Sequence, residues 1–204
     1  GWYRKTFTIP EAYKNKEINI QFDGVYKNSE VWCNGHYLGK RPFGYISFKY
    51  DITPFLNPGE ENVISVKVDH SDYADSRWYT GSGIYRNVFL NIHNKLHFKP
   101  LGGIFVTTPE VTADEAQIKV QSEIQNDNNQ EQKFSIKNLI KDGNGQIISS
   151  NEISVKLPGN WKDKFNQSLK VEKPELWSPE NPYLYQLETK IIKDQQVIDH
   201  KTTS

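Results

Sequence analysis

The sequence contains no methionine, a single cysteine, Cys33, and only four arginines among its 204 residues. One cysteine excludes an intrachain disulfide and any zinc site built from several cysteines. A chain without methionine does not begin at its own initiator, and the first residues, GWYRKTF, already have the pattern of a strand. We therefore expect a piece of a longer polypeptide, with any signal peptide lying upstream of Gly1.

An excess of charge and a long apolar run are missing as well. The 25 Lys and Arg residues are balanced by 25 Asp and Glu residues. Binders of nucleic acid or anionic membranes need a basic excess, so neither partner is expected. No apolar run approaches the roughly 20 residues that span a bilayer. The low cysteine count fits the cytoplasm as well as a periplasmic or secreted location, which is slightly favoured.

What the sequence does contain is a period-two alternation of apolar and polar residues, without a convincing helical stripe. Typical runs are 17–23, 46–52 and 64–68, with 118–124 and 153–157 in the second half. Turn signals such as Asn34-Gly35 separate the runs. Short strands at this spacing predict an all-β protein made of two antiparallel β-sandwiches.

The two halves differ in composition, which predicts two domains. Residues 1–96 hold 18 aromatic side chains, whereas residues 97–204 hold only 8. Lys99, Pro100, Gly102 and Gly103 interrupt the alternation between the halves. We place the domains at 1–98 and 99–204.

Four segments, read in order, resemble the front end of a glycoside hydrolase family 2 enzyme of the β-galactosidase or β-glucuronidase kind. They are GWYRKTFTIP (1–10), VWCNGHYLG (31–39) with Gly44-Tyr45 and D-I-T after it, RWYTGSGIYRNVFL (77–90) and KPELWSPENPYLYQLET (173–189). The resemblance covers nearly the whole chain. It implies a jelly-roll, sugar-binding-like domain at 1–98 and an immunoglobulin-like domain at 99–204.

The resemblance also implies where the chemistry lies. Retaining glycosidases use two carboxyl groups about 5–5.5 Å apart, and the family places both on a (β/α)8 barrel. Such a barrel needs on the order of 200–250 residues by itself. We therefore expect no catalytic residue, cofactor or metal in this chain. The implied partners are the catalytic barrel of the same polypeptide and a β-linked sugar, and whether the parent enzyme is a homo-oligomer stays open.

The best functional candidates in this chain are Asp75, Arg77, Trp78 and Tyr79. In similar enzymes the loop before the Gly-Ile-aromatic-Arg motif reaches over the barrel mouth, and some members place an aspartate six residues before the Gly-Ile pair. That position here is Arg77, which donates hydrogen bonds instead of accepting them. Asp75 would supply an acceptor only if the loop is shifted. Trp78 and Tyr79 would stack on a pyranose face or belong to the core.

Several other residues have a structural interpretation. We expect a two-residue turn at Asn34-Gly35 and a sharp bend at Gly81 and Gly83 before a strand at 84–92 that contains Arg86. Trp177 is expected to be a buried indole beside a proline-fixed turn.

Two motifs suggest chemistry but are not assigned any. Asn151-Glu152 resembles the family's acid/base dipeptide, yet it lies in an alternating strand, so we expect a solvent-facing pair. The run Asp69, His70, Asp72 and Asp75 fits no metal-binding spacing and is interpreted as a polar loop.

Three functional hypotheses remain. The motif order favours the non-catalytic portion of a family 2 hydrolase, which shapes the active-site rim and docks on the barrel. A free-standing carbohydrate-binding module predicts an exposed aromatic platform and measurable affinity for sugars. A pair of adhesion or structural sandwiches predicts no cluster of loops around Arg77.

Overall fold

The structure, a computed structural model, describes residues 1–71 and 80–204. They form two compact units, residues 1–93 and residues 94–204. The boundary expected from the sequence lies between residues 98 and 99. The segment before it, Leu96–Phe98, is a strand that pairs with Ile124 to Asn126 and therefore belongs to the second unit. Within the described ranges, no helix is long and apolar enough to cross a membrane.

The first unit is a sandwich of two main antiparallel sheets. Its strands are β1 (Trp2–Thr8), β2 (Glu17–Phe22), β3 (Val25–Tyr26), β4 (Ser29–Cys33), β5 (His36–Arg41), β6 (Phe48–Asp51), β7 (Glu61–Lys67), β8 (Gly83–Ile84) and β9 (Val88–His93), with single 3-10 turns at Glu11–Tyr13 and Thr53–Phe55. One sheet has the order β1-β7-β4-β5 and the other β6-β2-β9, while β3 pairs with β8.

The core of this unit lies between the two sheets because the inward positions of the alternating strands are apolar. Ile18, Ile20 and Phe22 come from β2, and Val31 and Cys33 come from β4. Complete burial of such side chains contributes about 1.5–3 kcal/mol each. The opposite positions of β2 and β4 carry polar or aromatic residues, as the period-two pattern predicts.

The second unit is also an antiparallel sandwich. Its strands are β10 (Leu96–Phe98), β11 (Ile104–Val111), β12 (Glu115–Asn126), β13 (Gln132–Lys141), β14 (Ile147–Leu157), β15 (Trp161–Glu172), β16 (Gln186–Lys193) and β17 (Gln196–Thr203). β12 pairs with β15 and with both β10 and β11, and the second sheet has the order β14-β13-β16-β17. The prediction of two antiparallel sandwiches, jelly-roll and immunoglobulin-like, is confirmed.

The Asn34-Gly35 turn also follows its prediction. Asn34 has φ 47° and Gly35 has φ 83°, so both turn residues adopt the left-handed conformation that joins β4 to β5. Left-handed backbone matches the twist of a two-residue hairpin, and Asn and Gly adopt it at the lowest cost.

Three local expectations are wrong. The strand expected at 84–92 is divided, because β8 ends at Ile84 and β9 begins at Val88, so Arg86 lies between strands and is exposed. Trp177 is 60% exposed instead of buried, although the turn beside it forms, with Ser178 and Asn181 bonded through their main chains.

The third concerns Asn151-Glu152, where only one residue faces solvent. The Glu152 carboxylate is exposed and lies 3.4 Å from Lys137 Nζ. The Asn151 side chain lies on the inner face of β14 and donates to Ser168 O at 2.9 Å. Adjacent strand residues point to opposite faces, so a dipeptide in a strand cannot be solvent-facing as a pair.

Candidate functional site

The four candidate site residues, Asp75, Arg77, Trp78 and Tyr79, lie outside the described residues. So do Asp72 of the proposed polar loop and the other positions from 73 to 79. The structure does describe both anchors of this segment. One is the end of β7 with Asp69, and the other is β8 with Gly83.

The anchor on the β7 side is Asp69, whose carboxylate interacts with residues before and after it in the chain. Its Oδ1 accepts from the Ser71 hydroxyl at 2.6 Å and from the Ser71 N–H at 3.2 Å. Its Oδ2 lies 3.7 Å from Lys67 Nζ. The Ser71 hydrogen bonds, helped by the Lys67 charge, lower the pKa of the Asp69 carboxyl. The carboxylate thus serves to hold the entrance of the segment in one conformation.

The Asp69 main chain also forms two hydrogen bonds that hold the end of β7 in place. The Asp69 N–H donates to Lys27 O at 3.2 Å, and Asn28 Nδ2 donates to Asp69 O at 3.2 Å. The chain leaving β7 is therefore attached to the segment that follows β3.

Gly83 fixes the other anchor. It pairs with Tyr26 in the β3-β8 ladder and has φ +125°, a conformation that L side chains rarely adopt. A Cβ at this position would collide with the Tyr3 hydroxyl. The positive φ therefore requires glycine here, in accord with the expected sharp bend, and a larger residue would also displace the end of the Tyr3 side chain. At Gly81 the structure shows neither requirement.

Between the two anchors lies a group of rings, which we call the tyrosine cluster: Tyr26, Phe43, Tyr45, His70 and Tyr85. The Tyr26 ring lies 5.0 Å from His70 and 5.1 Å from Tyr45, measured between ring centroids. Tyr45 in turn contacts Phe43 at 5.8 Å and Tyr85 at 6.5 Å.

The outer members of the cluster face solvent. Phe43 is 63% exposed, Tyr45 58% and Tyr85 51%. Rings with one apolar face exposed and a polar edge suit stacking on a sugar or packing against another domain. The cluster thus gives the anchors of the 72–79 segment a continuous aromatic surface.

Two glycines allow these rings to lie flat on the main chain. A Cβ at Gly44 would enter the Tyr26 ring, and a Cβ at Gly24 would enter the Tyr85 ring. The Tyr85 hydroxyl then donates to Gly44 O at 2.8 Å. Sequence reasoning singled out Gly44-Tyr45 and Tyr85 as parts of motifs but missed the cluster. Its signal was glycine beside aromatic residues in RPFGY (41–45) and DGVY (23–26).

A second exposed aromatic row crosses the outer face of the four-stranded sheet. The Trp32 ring lies 5.3 Å from Trp2 and 5.4 Å from Tyr37. Trp2 and Tyr37 are 66% and 53% exposed. Within the described part of the chain, no group of three His, Cys, Asp or Glu side chains could hold a metal ion.

Comparison with known proteins places these features in a family. The family model described as "Glycosyl hydrolases family 2, sugar binding domain" matches residues 1–94. The model described as "Glycosyl hydrolases family 2" matches residues 101–204. The chain belongs to glycosyl hydrolases family 2.

Relatives of this family 2 chain match it over nearly its entire length. A β-galactosidase from Bacteroides ovatus is 40% identical over 100% of the chain and 24% of its own length. A β-glucuronidase from Formosa agariphila is 34% identical over 97% of the chain and 22% of its own length. The chain thus spans about a quarter of the length of these relatives.

A solved structure has the same fold. A family 2 member from Bacteroides cellulosilyticus superposes with a TM-score of 0.94 at 42% identity, covering 98% of this chain and 27% of that chain. The family assigned to the chain from its four ordered motifs is thereby confirmed.

Proposed function

We propose that this chain is a non-catalytic part of a retaining β-glycosidase of the β-galactosidase or β-glucuronidase type. The observation that carries the proposal is the match of both family 2 models along the chain. The relatives named as β-galactosidase and β-glucuronidase supply the reaction class. In this proposal the first unit, residues 1–93, acts as the sugar-binding-like domain, and the second unit, residues 94–204, as the immunoglobulin-like one.

The catalytic carboxyl pair belongs to a barrel elsewhere in the polypeptide. The chain's two sandwiches leave no room for a (β/α)8 barrel, which needs about 200–250 residues of its own. Asn151-Glu152, the dipeptide that resembles the acid/base motif, is engaged in the second sandwich through Lys137 and Ser168.

The role of the first unit is to shape the rim of the active site with residues 72–79. Support comes from the two anchors, because the described residues on either side of 72–79 are held on the first sandwich at Asp69 and at Gly83. Arg77 then donates to a hydroxyl or carboxylate of the sugar. Asp75 supplies an acceptor, and Trp78 and Tyr79 offer stacking faces.

A hydrolysis assay on this chain and on the longer polypeptide, side by side, tests the proposal. Chromogenic β-galactoside and β-glucuronide are the substrates. We expect hydrolysis by the longer polypeptide alone. Hydrolysis by the chain itself would contradict the proposal, because it would place catalytic carboxyl groups within residues 1–204.

The same assay tests the rim residue. Arg77→Ala in the longer polypeptide should raise KM by about tenfold, the loss of one charged hydrogen bond. The matched control is Arg4→Ala, an exposed arginine on β1. An equal effect of the two substitutions would remove Arg77 from the rim.

A free-standing carbohydrate-binding module is the second candidate. The tyrosine cluster and the Trp2-Trp32-Tyr37 row favour it, since exposed rings stack on pyranose faces. It requires sugar binding by the chain alone together with an inactive longer polypeptide. Affinity electrophoresis of the chain in gels containing β-linked galactan distinguishes the two functions.

A further inference from the structure

The chain contains two Asn-Gly pairs, Asn34-Gly35 and Asn144-Gly145. An asparagine amide is open to attack by the next main-chain nitrogen when glycine follows, because glycine has no Cβ to hinder the approach. The two glycines have nearly the same conformation, with φ 83° at Gly35 and φ 81° at Gly145. Among the described residues, apart from the adjoining ones, nothing lies within 4 Å of where a Cβ would stand on either glycine. The glycines are thus equally accessible, and the pairs differ in how their asparagines are held.

The side chain of Asn34 is held in place by the first sandwich. Its Nδ2 donates to Phe55 O and to Asn62 Oδ1, both at 2.8 Å. Its Oδ1 accepts from the Val63 N–H, also at 2.8 Å. These partners lie 21 to 29 residues along the chain, so they keep the amide on the body of the sandwich. Cγ of Asn34 can reach the Gly35 nitrogen only after these hydrogen bonds have broken.

The side chain of Asn144 lacks such partners. It is exposed in the hairpin turn between β13 and β14, and within the described part of the chain its amide forms no hydrogen bond. Asp142 holds this turn instead: its Oδ1 accepts from the Asn144 N–H at 2.9 Å and the Gln146 N–H at 2.8 Å, and its carbonyl accepts from the Gly145 N–H at 3.0 Å. Exposed hairpin turns open at low cost. Reaction here thus requires the Gly145 hydrogen bond to open, whereas reaction in the β4-β5 turn requires three bonds to break.

We propose that Asn144 is a site of spontaneous deamidation and that the fold protects Asn34 from the same reaction. The Gly145 nitrogen loses its proton to hydroxide and forms a bond to Asn144 Cγ. The bond from Cγ to Nδ2 breaks, and Nδ2 takes a proton from water and leaves as ammonia. One water molecule then opens the succinimide. Opening at Cγ gives aspartate, and opening at the main-chain carbonyl carbon gives isoaspartate.

Both products change the charge and the turn in ways that can be measured. Either one carries a carboxylate in place of the Asn144 amide, and such a carboxylate is ionised at neutral pH. Each reaction therefore adds one negative charge to a chain whose formal net charge is zero. Isoaspartate also inserts an extra carbon atom into the main chain of the turn. This insertion displaces the Gly145 N–H from Asp142 O, its present acceptor.

Peptide mapping by mass spectrometry tests the site on the 204-residue chain, incubated in mildly alkaline buffer and sampled over time. We expect Asn144 to convert about tenfold or more faster than Asn34, because three hydrogen bonds must break at Asn34. Isoelectric focusing should show a more acidic form that grows at the same rate as the Asn144 product. Equal rates at the two asparagines, or faster conversion at Asn34, would overturn the proposal.

The same incubation in concentrated urea separates the effect of the fold from that of the sequence. Both asparagines precede glycine, so their rates should become comparable once the sandwiches are unfolded. Asn34 should gain most from unfolding, because its hydrogen bonds to distant residues are then lost. A rate difference that persisted in urea would come from the neighbouring residues and would overturn protection by the fold.

A substitution assigns the acidic form to Asn144. Asn144→Gln should abolish it, because a glutamine amide would have to close a larger ring. The matched control is Asn15→Gln, at an exposed asparagine that precedes lysine, which should leave the acidic form unchanged. Circular dichroism melts confirm that both variants are folded. An acidic form that persists in Asn144→Gln would overturn the proposal, as would an Asn144 that stays intact when the longer polypeptide is mapped in the same way.

Discussion

Asn34 shows how one side chain can fix a hairpin and its surroundings. Its Nδ2 donates to Phe55 O and to Asn62 Oδ1, both at 2.8 Å. Its Oδ1 accepts from the Val63 N–H at 2.8 Å. The left-handed backbone of the turn favours asparagine or glycine, and the three bonds require the asparagine side chain. The sequence predicted the turn, but the bonds to the chain around β7 follow only from the tertiary structure.

Asn34→Ala should therefore lower the free energy of unfolding by about 3 kcal/mol, through lost hydrogen bonds and left-handed strain. Asn34→Gly should cost less, because glycine tolerates the backbone conformation. Urea unfolding measures both. The control is Asn144→Ala, in the exposed turn before β14, with an expected change within about 0.5 kcal/mol. Equal losses for Asn34→Ala and Asn34→Gly would show that strain plays no part.

Glu188 gives the second unit a dependence on pH. Lys141 Nζ lies 2.8 Å from its carboxylate, and Lys190 Nζ lies 3.0 Å from it. Hydrogen bonds from these two ammonium groups lower the pKa of Glu188 below its ordinary value of 4.5. The folded state thus binds the Glu188 proton more weakly than the unfolded state does. The stabilisation is present above pH 4.5 and is lost as the pH falls through the folded-state pKa.

Glu188→Gln should reduce stability at neutral pH and flatten its decline in acid. The measurement is thermal unfolding from pH 7 to pH 3. Glu152→Gln is the control, since its ion pair with Lys137 is longer, at 3.4 Å, and more exposed. Surface pairs of that kind contribute little. If Glu188→Gln lost as much stability between pH 7 and pH 3 as the wild type does, Glu188 would not be the source of the pH dependence.

At the scale of the strands, the second sandwich contains a polar network where alternation alone predicts apolar contacts. The buried Thr189 hydroxyl donates to Asn138 Oδ1 at 2.7 Å, and Asn138 Nδ2 donates to Asn151 Oδ1 at 3.2 Å. Gln167 Nε2 on β15 donates to the same Asn151 oxygen at 3.0 Å. Because β15 lies in the other sheet, the network joins the two sheets and fixes their register.

Removal of one member should leave its partner buried without a hydrogen bond. We expect Asn138→Leu to cost about 3 kcal/mol and Thr189→Val about 1–2 kcal/mol, compared with nearly nothing for the exposed control Thr202→Val. A double-mutant cycle in urea should show coupling between Asn138 and Thr189. Additive losses would contradict a shared network.

The strands also show why edges are difficult to predict from sequence. Alternation in Val88, Leu90 and Ile92 predicts an inward apolar face and is correct about direction. Whether such a face is buried depends on what lies opposite it. Opposite the inward face of β9 the first unit has an open groove, so this face is only partly buried. Arg86 was misassigned for a related reason, since a continuous β-prone sequence does not show that β8 and β9 pair with different strands.

At the scale of the whole molecule, two separate sandwiches follow from the composition and the turn signals, and family membership follows from four ordered motifs. The candidate site was only partly predictable. The sequence indicated the segment around Arg77, but the tyrosine cluster draws on residues from 26 to 85, and no local pattern brings these together. Exposure of Trp177 was missed because its neighbours fix a turn without determining what covers the indole.

The sequence by itself determined the all-β class, the Asn34-Gly35 turn, the approximate division into two domains and the family. These depend on local periodicity, on residues that tolerate left-handed backbone and on motif order, all of which are readable along the chain. Only the tertiary structure decided the anchors at Asp69 and Gly83, the polar network around Asn138 and the open edge of β9. Each of these depends on residues far apart in sequence, and their contacts exist only after the sheets have packed.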